Sequence, residues 1–245
     1  MIPEPYFGPA DNEIWYTSSN GDVVTPSDSF GVSIVSNEYN NGKGVITFDG
    51  PVTNIENSSF DRCTSLTSIT IPNSVTRIGD AVFYECSSLT SVTIPNSVTS
   101  IGSNTLESTG IYNNESNWEN DALYIDNCLI AARSSISGAY AIKENTRLIA
   151  DFVFDSCDSI TSVTIPNSVT CIGDAVFNNC AYLISVTIPS GVTRLGPWTF
   201  GNCISLTSMT FEGTTEEWNS ITKEYNWNYR VPATYVQCTD GQVTL

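Results

Sequence analysis

Histidine is absent from this chain of 245 residues. That absence removes Ser-His-Asp and Cys-His nucleophile systems, histidine general bases and every zinc site that uses an imidazole. Basic residues are scarce as well: nine Lys and Arg stand against 26 Asp and Glu, a net charge of −17. Such an excess of carboxylates repels phosphate backbones and anionic lipid heads. No basic cluster offsets it, so nucleic acid is excluded as a partner. No stretch approaches the roughly 20 consecutive apolar residues that span a bilayer, and no insertion of this chain into a membrane is expected. The opening MIPEPYFGPA has neither the basic nor the apolar region of a signal peptide. On that reading the protein either stays inside or has had an export signal removed.

What is present is repetition. The decapeptide TSVTIPNSVT occurs at 90–99 and again at 161–170, with close variants at 67–76 and 184–193. Cys63 and Cys86 lie 23 residues apart, as do Cys157, Cys180 and Cys203; Phe60 and Phe83 keep the same step, as do Phe154, Phe177 and Phe200. In TSVTI, Val92 and Ile94 alternate with Ser91 and Thr93, the period of a strand with one buried face. Pro95 lacks a backbone donor and ends the strand, Pro-Asn-Ser turns the chain, and Val98 and Ile101 return to the interior. Gly102 is expected to take a backbone conformation that other residues resist. Asp80 and Asp174 stand where helix N-caps belong, so AVFYEC and AVFNNC read as single helical or 3₁₀ turns with an inward Phe and Cys.

One such unit cannot bury its apolar side alone, but stacked units can, with equivalent strands forming a parallel sheet about 4.8 Å apart. Each buried Phe or Ile then contributes roughly 1.5–3 kcal/mol. The expected fold is therefore an α/β repeat solenoid. Its strand pairs are Ile46/Phe48, Ile69/Ile71, Val92/Ile94, Tyr140/Ile142, Val163/Ile165, Val186/Ile188 and Met209/Phe211. All steps are 23 residues except Ile94 to Ile142, which is 48, so an insertion lies at about 107–139. Within it ALYIDNCLIAA alternates around Asp126-Asn127, a hairpin pattern. The expected organisation is an N-terminal cap over 1–44, repeats over 45–211 and a C-terminal cap over 212–245. Trp218, Tyr225, Trp227, Tyr229 and Tyr235 in the last segment read as a lid on the final layer, with an aromatic ligand platform as the alternative.

Written out, the unit resembles the BspA-like leucine-rich repeats, a 23-residue bacterial class. Leu66, Ile69, Ile71, Pro72, Val75, Ile78, Gly79, Phe83 and Cys86 fill that pattern, as do Leu89 to Ile101, Ile160 to Cys180 and Leu183 to Cys203. Leu106 and Thr109 depart from it where Phe and Cys are expected, and Val82, Val153 and Val176 stand where Ala is commoner. The resemblance implies a right-handed curved superhelix with short parallel strands on the concave face, helical or 3₁₀ turns on the convex side and irregular end caps. It also implies placement on the surface of anaerobic gut or oral bacteria, or secretion, with adhesion as the usual role.

Candidate sites are few. Five cysteines hold one repeat position and read as stacked, buried free thiols, since a 4.8 Å step is too wide for the Cβ separation of about 3.8 Å in a disulfide. Cys128, Cys171 and Cys238 fall off that column and are the candidates for a disulfide or redox role. Asp151, Asp155, Asp158 and Asp174 cluster without calcium-loop spacing and read as a solvated ridge; no metal or cofactor is expected. Glu216-Glu217 and Glu115/Glu119 would form a glycosidase pair only if folding opposed them across a cleft. No catalytic residue is assigned.

Two surfaces remain. Ser68/Thr70, Ser91/Thr93, Ser162/Thr164, Ser185/Thr187 and Ser208/Thr210 form hydroxyl ladders on the outward sheet face. They are either good strand formers solvating an exposed sheet or an adaptable surface for protein or glycan. In the insertion, Tyr112, Asn113, Asn114, Trp118 and Tyr124 combine rigid aromatics with amides, as recognition loops do; the other reading packs Trp118 on the imperfect repeat around Leu106. The chain is thus expected to be a non-enzymatic binding scaffold. A self-assembling surface module is the second reading and a carbohydrate-active enzyme the third.

Overall fold

The computed structural model describes residues 8–27 and 29–245; Met1 to Phe7 of the opening stretch read against a signal peptide lie outside them. Two compact units form, Met1–Asn117 and Trp118–Leu245. Each is a solenoid of stacked coils carrying parallel strands.

In the first unit Leu66–Thr70 and Ser91–Thr93 pair in parallel, with Ser68 opposite Ser91 and Thr70 opposite Thr93. The step of 23 extends this ladder back to Ile46, but the structure does not. Glu13–Ser18 lies between, antiparallel to both Leu66–Thr70 and Lys43–Phe48. Ile14 and Tyr16 of this inserted strand are buried. A Cβ on Gly44 would come within 2.1 Å of the Tyr16 ring, so the small residue makes the insertion sterically possible. The second half of the same coil stays in step, with Asn54–Ile55 parallel to Arg77–Ile78 and that strand parallel to Ser100–Ile101.

In the second unit Gly138–Ala141, Ile160–Thr164, Ser185–Ile188, Ser208–Phe211 and Tyr235–Gln237 form a continuous parallel ladder, ended by antiparallel Gln242–Thr244. A second ladder runs through Cys128–Ala132, Leu148–Ile149, Cys171–Ile172, Arg194–Leu195 and Thr222–Lys223. Its first strand forms a hairpin with Ala122–Ile125, turning through Asp126 at φ 51°.

The apolar residues, prolines and hydroxyls of the repeated decapeptide have partners in space. The second apolar residue of the strand (Ile71, Ile94, Ile165, Ile188) is buried in every copy. The proline carbonyl accepts from the valine three residues on, as at Pro72–Val75 and Pro95–Val98. The serine hydroxyl reaches back one coil: Ser74 Oγ donates to Val52 O, Ser97 Oγ to Val75 O and Ser168 Oγ to Thr146 O, all at 2.7 Å. The threonine that follows does likewise, Thr99 to Thr76 O and Thr193 to Thr170 O.

The return segments close i→i−3 bonds, such as Cys86 N to Phe83 O, yet they are not the single helical turns expected. Two residues four apart in each take positive φ: Ser58 and Arg62, Ala81 and Glu85, Phe152 and Ser156, Ala175 and Asn179, Trp198 and Asn202. This breaks the helix and swings alternate N–H groups sideways. Ala81, Phe83 and Glu85 donate to Ser103, Thr105 and Glu107 of the next coil; Ala175, Phe177 and Asn179 donate to Pro197, Thr199 and Gly201. The turn side is therefore a third ladder of inter-coil bonds, all pointing one way.

The capping aspartates also act between coils. Asp80 N–H is capped by Asn57 Oδ1, and Asp80 Oδ1 in turn accepts from Ser103 N; Asp151 Oδ1 accepts from Asp174 N. Gly102 is not at positive φ. It is required for room, because a Cβ there would come within 2.6 Å of Asp80 N and Oδ1.

Inside, the phenylalanines stack. Phe154–Phe177 and Phe177–Phe200 have centroids 5.2 and 5.3 Å apart and nearly parallel planes. Edge-on rings close the columns: Phe30 on Phe60, Tyr140 on Phe154 and Trp227 on Phe200. A stack ended edge to face matches the ring quadrupoles at its boundary.

Candidate binding surface

On the outward sheet face of the second unit, Ser162, Ser185 and Ser208 align on consecutive strands, as do Thr164, Thr187 and Thr210. No charged side chain interrupts the three rungs. Ala139 and Ala141 precede them, and Gln237 follows Thr210. The same register sets the exposed Tyr235 beside Ser208. In the first unit Ser68/Thr70 and Ser91/Thr93 give two rungs, and the inserted strand adds Trp15 opposite Thr70 and Thr17 opposite Ser68. Thr17 Oγ1 lies 2.6 Å from both Thr67 Oγ1 and Ser68 Oγ, so this end of the ladder is tied. Trp15 donates to Glu13 Oε2 at 2.8 Å and carries Lys43 Nζ over its ring. Sequence spacing missed Trp15 because the strand that presents it is outside the 23-residue register; the alternation of EIWYTS was the available signal.

The insertion residues are divided between the units. Tyr112 and Asn113 lie in the short helix Gly110–Asn113, N-capped by Thr109. Asn114 Oδ1 accepts from Ser116 N and Oγ and so shapes its own turn. Trp118 and Tyr124 belong to the second unit. Trp118 pairs opposite Leu123 and holds the Arg133 guanidinium 4.3 Å above its ring. The Tyr124 hydroxyl accepts from Lys143 N and meets that of Tyr140 at 3.5 Å. Burial pushes the Tyr140 phenol well up, and its bond to Tyr124 adds to this.

The acids are engaged structurally. Glu217 Oε2 accepts from Thr214 N in the capping box of Thr215–Ser220, and Glu119 pairs with Lys143. Asp155 Oδ1 accepts from Asn178 and Asn179, and Asp174 pairs with Arg194. Among the described residues no three Cys, Asp or Glu converge to hold a metal, and no helix is long and apolar enough to cross a membrane.

All eight cysteines are unbridged. Three column thiols donate to the phenylalanine carbonyl of the preceding coil: Cys86 to Phe60 at 2.9 Å, Cys180 to Phe154 at 3.1 Å and Cys203 to Phe177 at 3.0 Å. Burial pushes Cys86 and Cys203 up to about 12, Cys63, Cys128 and Cys157 to about 11, and Cys180 further. Protonated and, apart from the half-buried Cys63, fully buried, they are space-fillers and poor nucleophiles.

The C-terminal aromatics divide. Trp218 and Trp227 are buried and meet edge to face at 5.8 Å, closing the last layer, while Tyr225, Tyr229 and Tyr235 are exposed.

The chain is similar to a leucine-rich repeat protein of T. pallidum (29% identity over 66% of this chain and 64% of that one, TM-score 0.32). It is also similar to a leucine-rich cell surface protein of Faecalibacterium prausnitzii (25% identity, 70% and 66%, TM-score 0.27) and a leucine-rich repeat protein of Bacteroides ovatus (21%, 86% and 56%, TM-score 0.31). The chain thus spans between 56% and 66% of the length of these three structures. No curated protein matches it. The BspA type leucine-rich repeat region matches in six copies over residues 34–145 and 134–226, and on that match the chain belongs to the BspA-type leucine-rich repeat family.

Proposed function

We propose that this chain is a non-enzymatic binding scaffold, displayed on a bacterial surface or secreted, that holds a protein or glycan against the outward face of its parallel sheets in an adhesin-like role. The observation that carries this is the uncharged hydroxyl ladder on Ser162/Thr164, Ser185/Thr187 and Ser208/Thr210, in strict register and flanked by exposed Tyr235. A flat, weakly polar surface with an aromatic at its margin suits adaptable recognition. Membership of a repeat family that builds extended scaffolds supports the reading.

The test is a binding screen of the purified chain against extracellular-matrix proteins, mucin and microbial polysaccharides at physiological salt. Saturable binding that Thr164→Glu, Thr187→Glu or Thr93→Glu weakens at least about tenfold, or about 1.4 kcal/mol, supports the sheet face. Binding indifferent to all three variants removes it.

A further inference from the structure

We infer a second binding site on the turn side of the second unit, where a groove between Phe152 and Trp198 takes a neutral sugar ring of a glycan. This site is independent of the sheet face.

The first positive-φ position of each return segment is filled by Ser58, Ala81 and Asn104 in the first unit, and by Phe152, Ala175 and Trp198 on consecutive coils of the second. Small residues and Asn suit a left-handed backbone; a bulky aromatic there is an outlier of the kind that gathers at functional sites. Phe152 is half exposed, with a relative accessibility of 49%. Trp198 lies across Gly201, where a Cβ would come within 2.7 Å of its ring, and it is steadied edge-on by Tyr229 at 5.2 Å. Ala175 stands between the two aromatics, with Asn178, Asn179 and Asn202 completing a groove of about 320 Å³.

The lining selects the guest. In a chain with 26 acidic residues, no charged side chain lines this groove. Its polar groups are amides, each with one N–H already aimed within the protein: Asn178 and Asn179 to Asp155, and Asn202 to Asn179 Oδ1. Asn178 Oδ1 is buried beneath the groove, against Gly201. What the groove offers a ligand is therefore mainly carbon, from Phe152, Ala175 and Trp198, with amides at its edge. A pyranose ring offers the complement, with a C–H face for the aromatics and hydroxyls left towards solvent and the rim.

A cation would want a carboxylate in the lining, and Asp155 is turned to the amides instead. The net charge of −17 disfavours sialylated or sulfated sugars.

The experiment measures binding of the full chain to immobilised oligosaccharides ending in neutral glucose, galactose, mannose or N-acetylglucosamine, with sialylated and sulfated counterparts alongside. Trp198→Ala and Phe152→Ala are the variants, and folding of each is checked by circular dichroism. Ala175 and Ala81 already occupy the same backbone position, so alanine is compatible with the fold. The expected result is binding to a neutral glycan that weakens about tenfold or more in each variant, while Thr187→Glu on the sheet face leaves it unchanged. No neutral glycan bound, binding indifferent to both alanine variants, or preference for an anionic glycan would overturn the proposal. Failure here leaves the sheet-face reading standing, because its own variants report separately.

Discussion

The carboxylate of Asp80 accepts the backbone N–H of Ser103 at 2.8 Å, in the space that Gly102 leaves open beside it. Aspartate and glycine of neighbouring coils thus form one joint, repeated where Asp151 receives Asp174 N beside Gly173 and where Asp174 lies beside Gly196. Asp80→Ala should lower stability by about 1–2 kcal/mol, the cost of a lost cap. Gly102→Ala should cost more, and Asp80→Ala should not rescue it, because Asp80 N and Gly79 C also lie within 2.6 Å of the added Cβ. Urea unfolding of the two single variants and the double measures this; full rescue would show that the side chain alone sets the clash.

The phenylalanine column and the turn-side aromatics should separate cleanly. Phe177 is fully buried between Phe154 and Phe200, so Phe177→Ala should cost about 3–5 kcal/mol. Trp198→Ala, at a partly exposed position that accepts alanine elsewhere, should cost less than about 1 kcal/mol. Thermal unfolding of both variants is the check, and equal losses would place Trp198 in the core instead.

Phe152 holds φ at 60°, where a bulky side chain is strained. Asn104 and Asn226 occupy the same position in other coils. Phe152→Asn should leave stability unchanged or raise it by up to about 1 kcal/mol. A clear loss in urea unfolding would mean that the ring stabilises the fold, and the strain argument would fall.

Raised thiol pKa values carry a sign. The folded chain holds the protons of Cys63, Cys86, Cys157 and Cys203 to about 11–12, against 9.0 for an unperturbed thiol. Their contribution is complete below pH 9 and is lost as pH rises from 9 towards 12, at up to about 1.4 kcal/mol per pH unit for each thiol. Urea midpoints measured across pH 8 to 11 should fall above pH 9, and the fall should shrink in Cys86→Ala. Buried Cys86, Cys157, Cys180 and Cys203 should also resist a thiol reagent at pH 8, leaving the half-buried Cys63 and Cys171 to react first.

The fold was legible in the sequence because each coil meets a copy of itself, so periodicity alone fixes which residues stack. Leu66 to Cys86 could be threaded without any long-range information. Elements without a counterpart one period away were legible as elements but not in their placement. Strand structure expected in NEIWYTSSNGDVV and the hairpin around Asp126-Asn127 both form. The entry of Glu13–Ser18 between Lys43–Phe48 and Leu66–Thr70 and the division of the insertion between two units did not follow from alternation. The return segments were misread as helical because AVFYEC carries no glycine to announce its two left-handed residues, Ala81 and Glu85. Bonds to the next coil impose that conformation, and a local rule cannot see them. Of the surface, the hydroxyl ladder followed from spacing. Trp15 and Tyr235 at its margins, and the pairing of Phe152 with Trp198, needed the register.

Outside the insertion, the one-way ladder on the turn side makes neighbouring coils of a unit interchangeable parts. Each presents the same donors to its successor and the same acceptors to its predecessor, so a coil cannot tell which copy it adjoins. Within one unit, excising a single 23-residue period would join two seams that already match. Adding a whole period should be as easily absorbed, whereas a gain of 22 or 24 residues would put all three ladders out of register. A gene built this way can change the reach of its product by simple recombination while the fold stays the same.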